Sequence, residues 1–69
     1  MNRTLVKYYD PRVDEVYLEE IYESASFEGI INKIEEENKV GRIYQKSENT
    51  YYTTDEYGDL DVMLILSHI

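Results

Sequence analysis

The chain has 69 residues, the length of one small domain, so residues 1–69 are treated as a single acidic unit. Fifteen Asp and Glu residues against seven Lys and Arg residues give a formal net charge of −8. This balance argues against direct binding to nucleic acid or to an anionic membrane, because both need a surplus of basic side chains. The sequence has no cysteine, so disulfide bonds and thiolate metal sites are excluded.

Hydropathy along the chain indicates a soluble, folded, intracellular protein. The first ten residues, MNRTLVKYYD, lack the apolar stretch of a secretory signal. The longest aliphatic run, Val62 to Leu66, is five residues long, whereas a membrane helix needs about 20. Hydrophobic residues make up 42% of the chain and Tyr occurs eight times, a composition unlike that of a disordered acidic tail.

The first part of the chain favours two strands joined by a hairpin turn. Residues 4–9 (TLVKYY) are β-branched and aromatic and stop at Asp10-Pro11, and residues 15–23 (EVYLEEIYE) predict the second strand. Alternation along that second strand would direct one set of side chains to a single face, namely Val16, Leu18, Glu20 and Tyr22. A helix over residues 14–25 remains an alternative, because the segment has Glu-rich flanks.

Residues 26–37 predict an amphipathic helix. Its apolar residues fall at i, i+3, i+4 and i+7, namely Phe27, Ile30, Ile31 and Ile34. Ser24 or Ser26 can cap the N-terminus, and Asn38 and Gly41 offer a left-handed exit.

The last part of the chain predicts further strands. Residues 42–47 and 50–55 form two strands or one bent strand, and residues 60–67 follow a turn at 56–59. The final strand has apolar residues on both faces, which indicates a central strand covered by the helix on one side and by another chain or a partner on the other. The expected fold class is therefore α+β: a small, largely antiparallel sheet of three to four strands with the helix packed on one face.

Side chains suited to catalysis or metal binding are nearly absent. The only histidine is His68, and the three glycines form no phosphate-binding loop. The segment from Asp55 to Asp61 faintly resembles a calcium loop, but its Gly is misplaced and no Glu follows at the closing position. We therefore expect no enzymatic activity, no metal and no cofactor.

Carboxylates dominate the last third of the sequence. From Ser47 to Ile69 there are acidic residues but no Lys or Arg. On a strand, carboxylates at i and i+2, such as Asp59 and Asp61, point the same way about 6.8 Å apart. Such rows, interleaved with Tyr, imitate the charge track of a DNA strand and would be attracted to the basic groove of a nucleic-acid enzyme. An ordinary solubilising acidic surface is the alternative.

The order of several short segments over residues 15–67 is similar to that of a known protein family. A strand that ends in Tyr22-Glu23-Ser24 precedes the helical segment. After the helical segment come Ile43 to Tyr52, then Thr54-Asp55-Glu56, and then Val62-Met63-Leu64-Ile65-Leu66-Ser67. In this order the chain resembles the bacteriophage inhibitors of uracil-DNA glycosylase, which are DNA mimics.

The resemblance implies that the Glu-Ser strand end enters the DNA groove of the enzyme in place of phosphates. Glu23 and Ser24 would fill this role with Glu28 as a second anionic contact, and Ala25 stands where the family has Ile. With the acidic turn included, the expected DNA-mimicking contacts are Glu23, Ser24, Ala25, Glu28, Asp59 and Asp61.

The resemblance also implies a pocket between helix and sheet that captures an apolar wedge residue of the enzyme. Six residues are expected to line it, namely Phe27, Ile31, Ile34, Ile43, Met63 and Ile65. The alternative is that these residues are simply the hydrophobic core.

The implied partner is the uracil-DNA glycosylase of the host, bound in the host cytoplasm by a monomer or a homodimer. Two other functions remain open on the sequence. One is inhibition of a different nucleic-acid enzyme, as by an anti-CRISPR or anti-restriction protein. The other is that of a small acidic interaction module without mimicry.

Overall fold

The described part of the chain forms five strands and one helix. A computed structural model describes residues 2–38 and 40–69. In chain order the elements are β1 (Thr4–Asp10), β2 (Glu15–Tyr22), α1 (Phe27–Glu36), β3 (Tyr44–Gln45), β4 (Thr50–Thr54) and β5 (Leu60–His68). The α+β class is confirmed.

The strands form one antiparallel sheet in the order β2-β1-β5-β4-β3. The prediction that the final strand is central is confirmed, since β5 has two strands on each side. The expected number of three to four strands is wrong. Residues 42–55 divide into two strands because a turn follows Lys46, where the amides of Lys46 and Ser47 both donate to the Thr50 carbonyl. The first of these strands, β3, is only two residues long.

The β1–β2 hairpin contains a β-bulge that changes which side chains share a face. Its turn ends at Asp14, which has a positive φ of 56°, and the helical alternative for residues 14–25 is wrong. Tyr8 pairs with Leu18 but Tyr9 pairs with Val16, so one extra residue, Tyr17, lies in β2 between these pairs. Val16 therefore lies on the opposite face from Leu18, contrary to simple alternation.

Helix α1 begins and ends as the sequence predicts. The Oγ of Ser26 accepts a hydrogen bond of 3.0 Å from the Gly29 amide, so Ser26 is the N-cap. Ser24 lies two residues before Ser26, and its Oγ accepts a hydrogen bond from the Ser26 amide. At the other end Asn38 has a φ of 55°, the left-handed exit. Glu35 then joins the helix to the next segment, because its Oε2 accepts from the Ile43 amide at 2.7 Å.

The hydrophobic core lies between α1 and one face of the sheet. Its buried side chains come from the helix and from alternate positions of the three inner strands: Val6, Tyr8, Ile30, Ile31, Ile34, Tyr51, Leu64 and Leu66. The buried hydroxyls are also satisfied, since Thr4 donates to the Ser24 carbonyl at 2.7 Å and Thr53 accepts from the Val62 amide. Within residues 2–38 and 40–69, no helix has the length and apolar character needed to cross a membrane.

Candidate protein-binding site

A groove of about 580 Å³ lies between the end of β2 and the start of α1. Its lining combines apolar and charged residues: Ile21, Tyr22, Glu23, Ser24, Gly29, Ile30 and Lys33. Because β2 is an edge strand, no further strand formed by residues 2–38 or 40–69 closes this side of the sheet, and the groove is open to a partner. Gly29 has no side chain, which keeps the helix wall of the groove low.

Glu23 places a freely accessible carboxylate at the rim of this groove. Its side chain is 78% exposed, and its nearest cation is the Arg3 guanidinium, with 3.9 Å between Nη1 and Oε1. An exposed pair of this kind contributes about 0–1 kcal/mol, so it holds the carboxylate only loosely. The neighbouring Ser24 is fixed instead, because its carbonyl accepts from Thr4 and its Oγ from the Ser26 amide.

A small hydrogen-bond network holds the β2 wall of the groove. Oε1 of Glu20 accepts from the hydroxyls of Tyr8, at 2.8 Å, and Tyr22, at 3.1 Å. Burial raises the pKa of Tyr8, and its hydrogen bond to the Glu20 carboxylate raises it further. The network therefore ties the groove residue Tyr22 to the buried Tyr8 on the adjacent strand.

Two further residues of the expected DNA-mimicking set lie close to the groove along the chain. Glu28 is exposed in the first turn of α1, immediately before Gly29. Ala25 is exposed, and its carbonyl oxygen lies 3.0 Å from Nε2 of His68. The imidazole of His68 in turn packs on the Phe27 ring, with 4.5 Å between ring centroids. These contacts fix the connection between β2 and α1 to the end of β5.

Asp59 and Asp61 do not join this cluster. β5 runs from Asp61 at one end of the sheet to His68 at the other. His68 pairs with Thr4, and Thr4 also pairs with the groove residue Tyr22. Seven residues of strand separate Asp61 from His68, or about 23 Å at ~3.3 Å per residue.

The expected row of carboxylates on a strand is also wrong for this pair. Asp59 lies in the turn before β5, where its amide donates to Oδ1 of Asp55 at 3.0 Å. The Asp61 carboxylate is paired with the Arg12 guanidinium at 2.7 Å. The Asp59 backbone and the Asp61 carboxylate are thus held at the end of the sheet far from the groove.

The six residues expected to line a wedge pocket do not share one hollow. Ile31 and Ile34 are buried in the core, and Phe27 and Ile43 pack against it. Met63 and Ile65 lie on the other face of the sheet, because they alternate with the buried Leu64 and Leu66 along β5.

Two groove residues, Ile21 and Tyr22, were not among the expected site residues. An available signal was their position just before Glu23 at the end of a strand.

Neither a search for metal-binding side chains nor comparison with known proteins adds to the description of this site. The described residues contain no group of three or more His, Cys, Asp or Glu side chains placed to hold a metal ion. No protein-family model matches the sequence, and comparisons with curated proteins and with solved structures returned no match.

Proposed function

We propose that this chain is a protein inhibitor of uracil-DNA glycosylase that acts as a DNA mimic. The observation that carries the proposal is the exposed Glu23 carboxylate at the rim of a partly apolar groove between β2 and α1. In this proposal Glu23, Ser24 and Glu28 occupy the DNA-binding groove of the enzyme. The groove beside them receives an apolar wedge residue of the enzyme, in place of the pocket expected from the sequence.

Electrostatics supports an enzyme that binds DNA as the partner. A net charge of −8 on a chain this small produces a field that attracts a basic groove and accelerates association. Glu23 and Glu28 are both exposed, so a partner can contact them without first breaking a buried ion pair.

The shape of the site supports the second half of the proposal. A volume of about 580 Å³ falls within the range of about 300–1,000 Å³ that is typical of ligand pockets. Tyr22 and Ile30 contribute apolar surface to its lining. A protruding aliphatic side chain would lose its water there, which favours binding.

A uracil-excision assay with purified glycosylase tests the proposal directly. We expect cleavage of uracil-containing DNA to stop near one inhibitor chain per enzyme, with bovine serum albumin as the inactive control. Association should slow as salt is raised, because exposed charges are screened. Full cleavage at a tenfold excess of the folded protein would contradict the glycosylase target.

Two matched pairs of variants separate the charge from the groove. We expect Glu23→Gln to weaken inhibition by about 2–5 kcal/mol, while Glu48→Gln, an exposed acid in the β3–β4 turn, has little effect. Gly29→Leu adds a side chain at the helix wall of the groove and should also weaken inhibition. Because its Cβ would lie 3.2 Å from the Ser26 Oγ, Ser26→Ala is assayed beside it to measure the effect of losing the cap alone. Gly41→Leu is its control, since a Cβ added at Gly41 meets nothing within 4 Å. Equal inhibition by Gly29→Leu and Gly41→Leu would remove the groove from the mechanism.

A further inference from the structure

The face of the sheet opposite α1 carries a continuous apolar row across all five strands. Strand pairing sets the following residues side by side, from β2 to β3: Val16, Tyr9, Met63, Tyr52 and Tyr44. We call the side of the sheet that bears this row, together with Ile65, the open face. Among the described residues no helix or strand lies over it.

The open face leaves large side chains accessible. Tyr44 and Val16 at its two edges are 40% and 43% exposed, and Met63 and Ile65 at its centre are only half-buried. The rings of Tyr44 and Tyr52 stack with 5.5 Å between centroids, which gives one edge a flat aromatic surface. A contiguous apolar surface of this kind is characteristic of a contact with another protein.

Charge distribution identifies what that protein is. Among the described strand residues whose pairing places them on the open face, only Lys7 and Glu19 are charged, and they lie directly opposite each other. The Arg42 guanidinium also lies over the Tyr44 ring at one edge, 5.6 Å from the ring centroid. The strand residues of the open face are thus balanced in charge, and the face carries no excess of acid in a chain whose net charge is −8. A basic partner would gain no electrostatic attraction at this face. A second apolar face without excess charge is complementary to it, and another copy of the chain presents such a face.

The size of the open face is sufficient for a dimer. The 31 strand residues, at about 3.3 Å along a strand and about 4.8 Å between strands, cover roughly 490 Å². Two such faces bury about 1,000 Å² in total, the lower limit of a specific interface and the size expected of a dimer that forms only at high concentration. Two sheets packed face to face sit about 10 Å apart, the spacing of a β-sandwich.

We propose that two copies of this chain associate through their open faces, as a symmetric dimer with the helices on the outside. This contact is argued from the apolar side chains of the open face and not from the Glu23 carboxylate, so the proposal does not depend on the proposed function. A dimer held by a neutral apolar contact persists at high salt, whereas one held by exposed charges weakens.

Sedimentation equilibrium of the purified chain between about 5 and 500 µM tests this inference. We expect the mass of two chains at the upper concentrations in both 0.1 M and 1 M NaCl. We expect Met63→Lys and, separately, Tyr44→Lys to give the mass of one chain while far-ultraviolet circular dichroism stays native. Val13→Lys, at a 61% exposed residue in the β1–β2 turn, is the control that remains dimeric.

A chain that sediments as a monomer at 500 µM, or a dimer that dissociates in 1 M NaCl, would overturn the inference. So would a dimer that survives both Met63→Lys and Tyr44→Lys, since that outcome points to pairing through the exposed edge of β2 instead. Tyr44→Lys changes an edge residue that is 40% exposed, so it keeps the test decisive if Met63→Lys fails to fold.

Discussion

The Tyr8 hydroxyl donates a 2.8 Å hydrogen bond to Oε1 of Glu20, diagonally across the β1–β2 pair. The ring of Tyr8 is buried in the core, while Glu20 lies on the edge strand and also accepts from Tyr22. One carboxylate therefore connects the interior of the domain to the wall of the candidate binding groove.

Alkaline pH should destabilise the protein through Tyr8. Burial, followed by the hydrogen bond to Glu20, raises the pKa of Tyr8 in the folded state. The folded state then holds the phenolic proton more tightly, so the stabilisation is complete below pH 10 and is lost as pH rises above it. One such group lowers the free energy of unfolding by at most about 1.4 kcal/mol per pH unit. Urea unfolding between pH 8 and 11.5 measures this slope.

Tyr8→Phe provides the matched comparison for that slope. At pH 8 we expect a loss of about 1.5–3 kcal/mol, because a hydrogen bond to a carboxylate is removed. Above pH 10 the variant should lose stability less steeply than the native chain. Tyr57→Phe is the control variant, since Tyr57 is 81% exposed in the turn before β5. An unchanged alkaline slope in Tyr8→Phe would assign the effect to other tyrosines.

Ser26→Ala should weaken the start of α1. The Ser26 Oγ accepts from the Gly29 amide, and replacing such an N-cap by Ala costs about 1 kcal/mol. Ser47→Ala, at an exposed serine outside any helix, should change the free energy of unfolding by less than about 0.5 kcal/mol. Chemical denaturation of the two variants is the measurement, and equal stabilities would argue against the cap.

Gly58→Ala should destabilise the turn before β5. Gly58 has a φ of 84°, a conformation that side chains with a Cβ rarely adopt. We expect a loss of about 1 kcal/mol or more, as for other Ala substitutions at positive φ. Gly41→Ala is the control, because a Cβ there meets nothing within 4 Å and no positive φ is required. Thermal unfolding of both variants separates backbone strain from the general effect of adding a methyl group.

Ile34→Ala should show that Ile34 belongs to the core. Its side chain is fully buried between α1 and the sheet. Removing it should cost about 2–5 kcal/mol, as for other large-to-small core changes. Ile21→Ala, at an isoleucine that is 55% exposed on the edge strand, should cost less than about 1 kcal/mol in the free protein. A small loss for Ile34→Ala would reopen the hypothesis that it faces a cavity.

Local sequence pattern predicted most of the secondary structure because each segment carries its own signal. The stripe from Phe27 to Ile34 and the cap at Ser26 specify the helix, and both are found. The central position of β5 followed from apolar residues at alternate and intervening positions between Val62 and Leu66.

The pairing of strands was harder to predict from the sequence, since register depends on contacts between distant segments. The bulge at Tyr17 moves Val16 to the open face, and the sequence of β2 alone does not predict this bulge. The position of Met63 relative to Ile34 likewise depends on which face of the sheet the helix covers. For this reason the expected wedge pocket combined residues that the fold separates, while Glu23 and Ser24 did fall beside a groove.

The pairing of β1 with β5 also has a kinetic consequence. Tyr9 meets Met63 and Thr4 meets His68, so the middle of the sheet joins the two most distant parts of the described chain. The β1–β2 hairpin and the β3–β4–β5 meander are built from near neighbours, whereas their junction requires closure of a loop of more than fifty residues. Such long-range closure slows folding. We expect the two halves to form early and their docking along β1 and β5 to be the rate-limiting step, with substitutions at Val6 or Leu66 slowing refolding most.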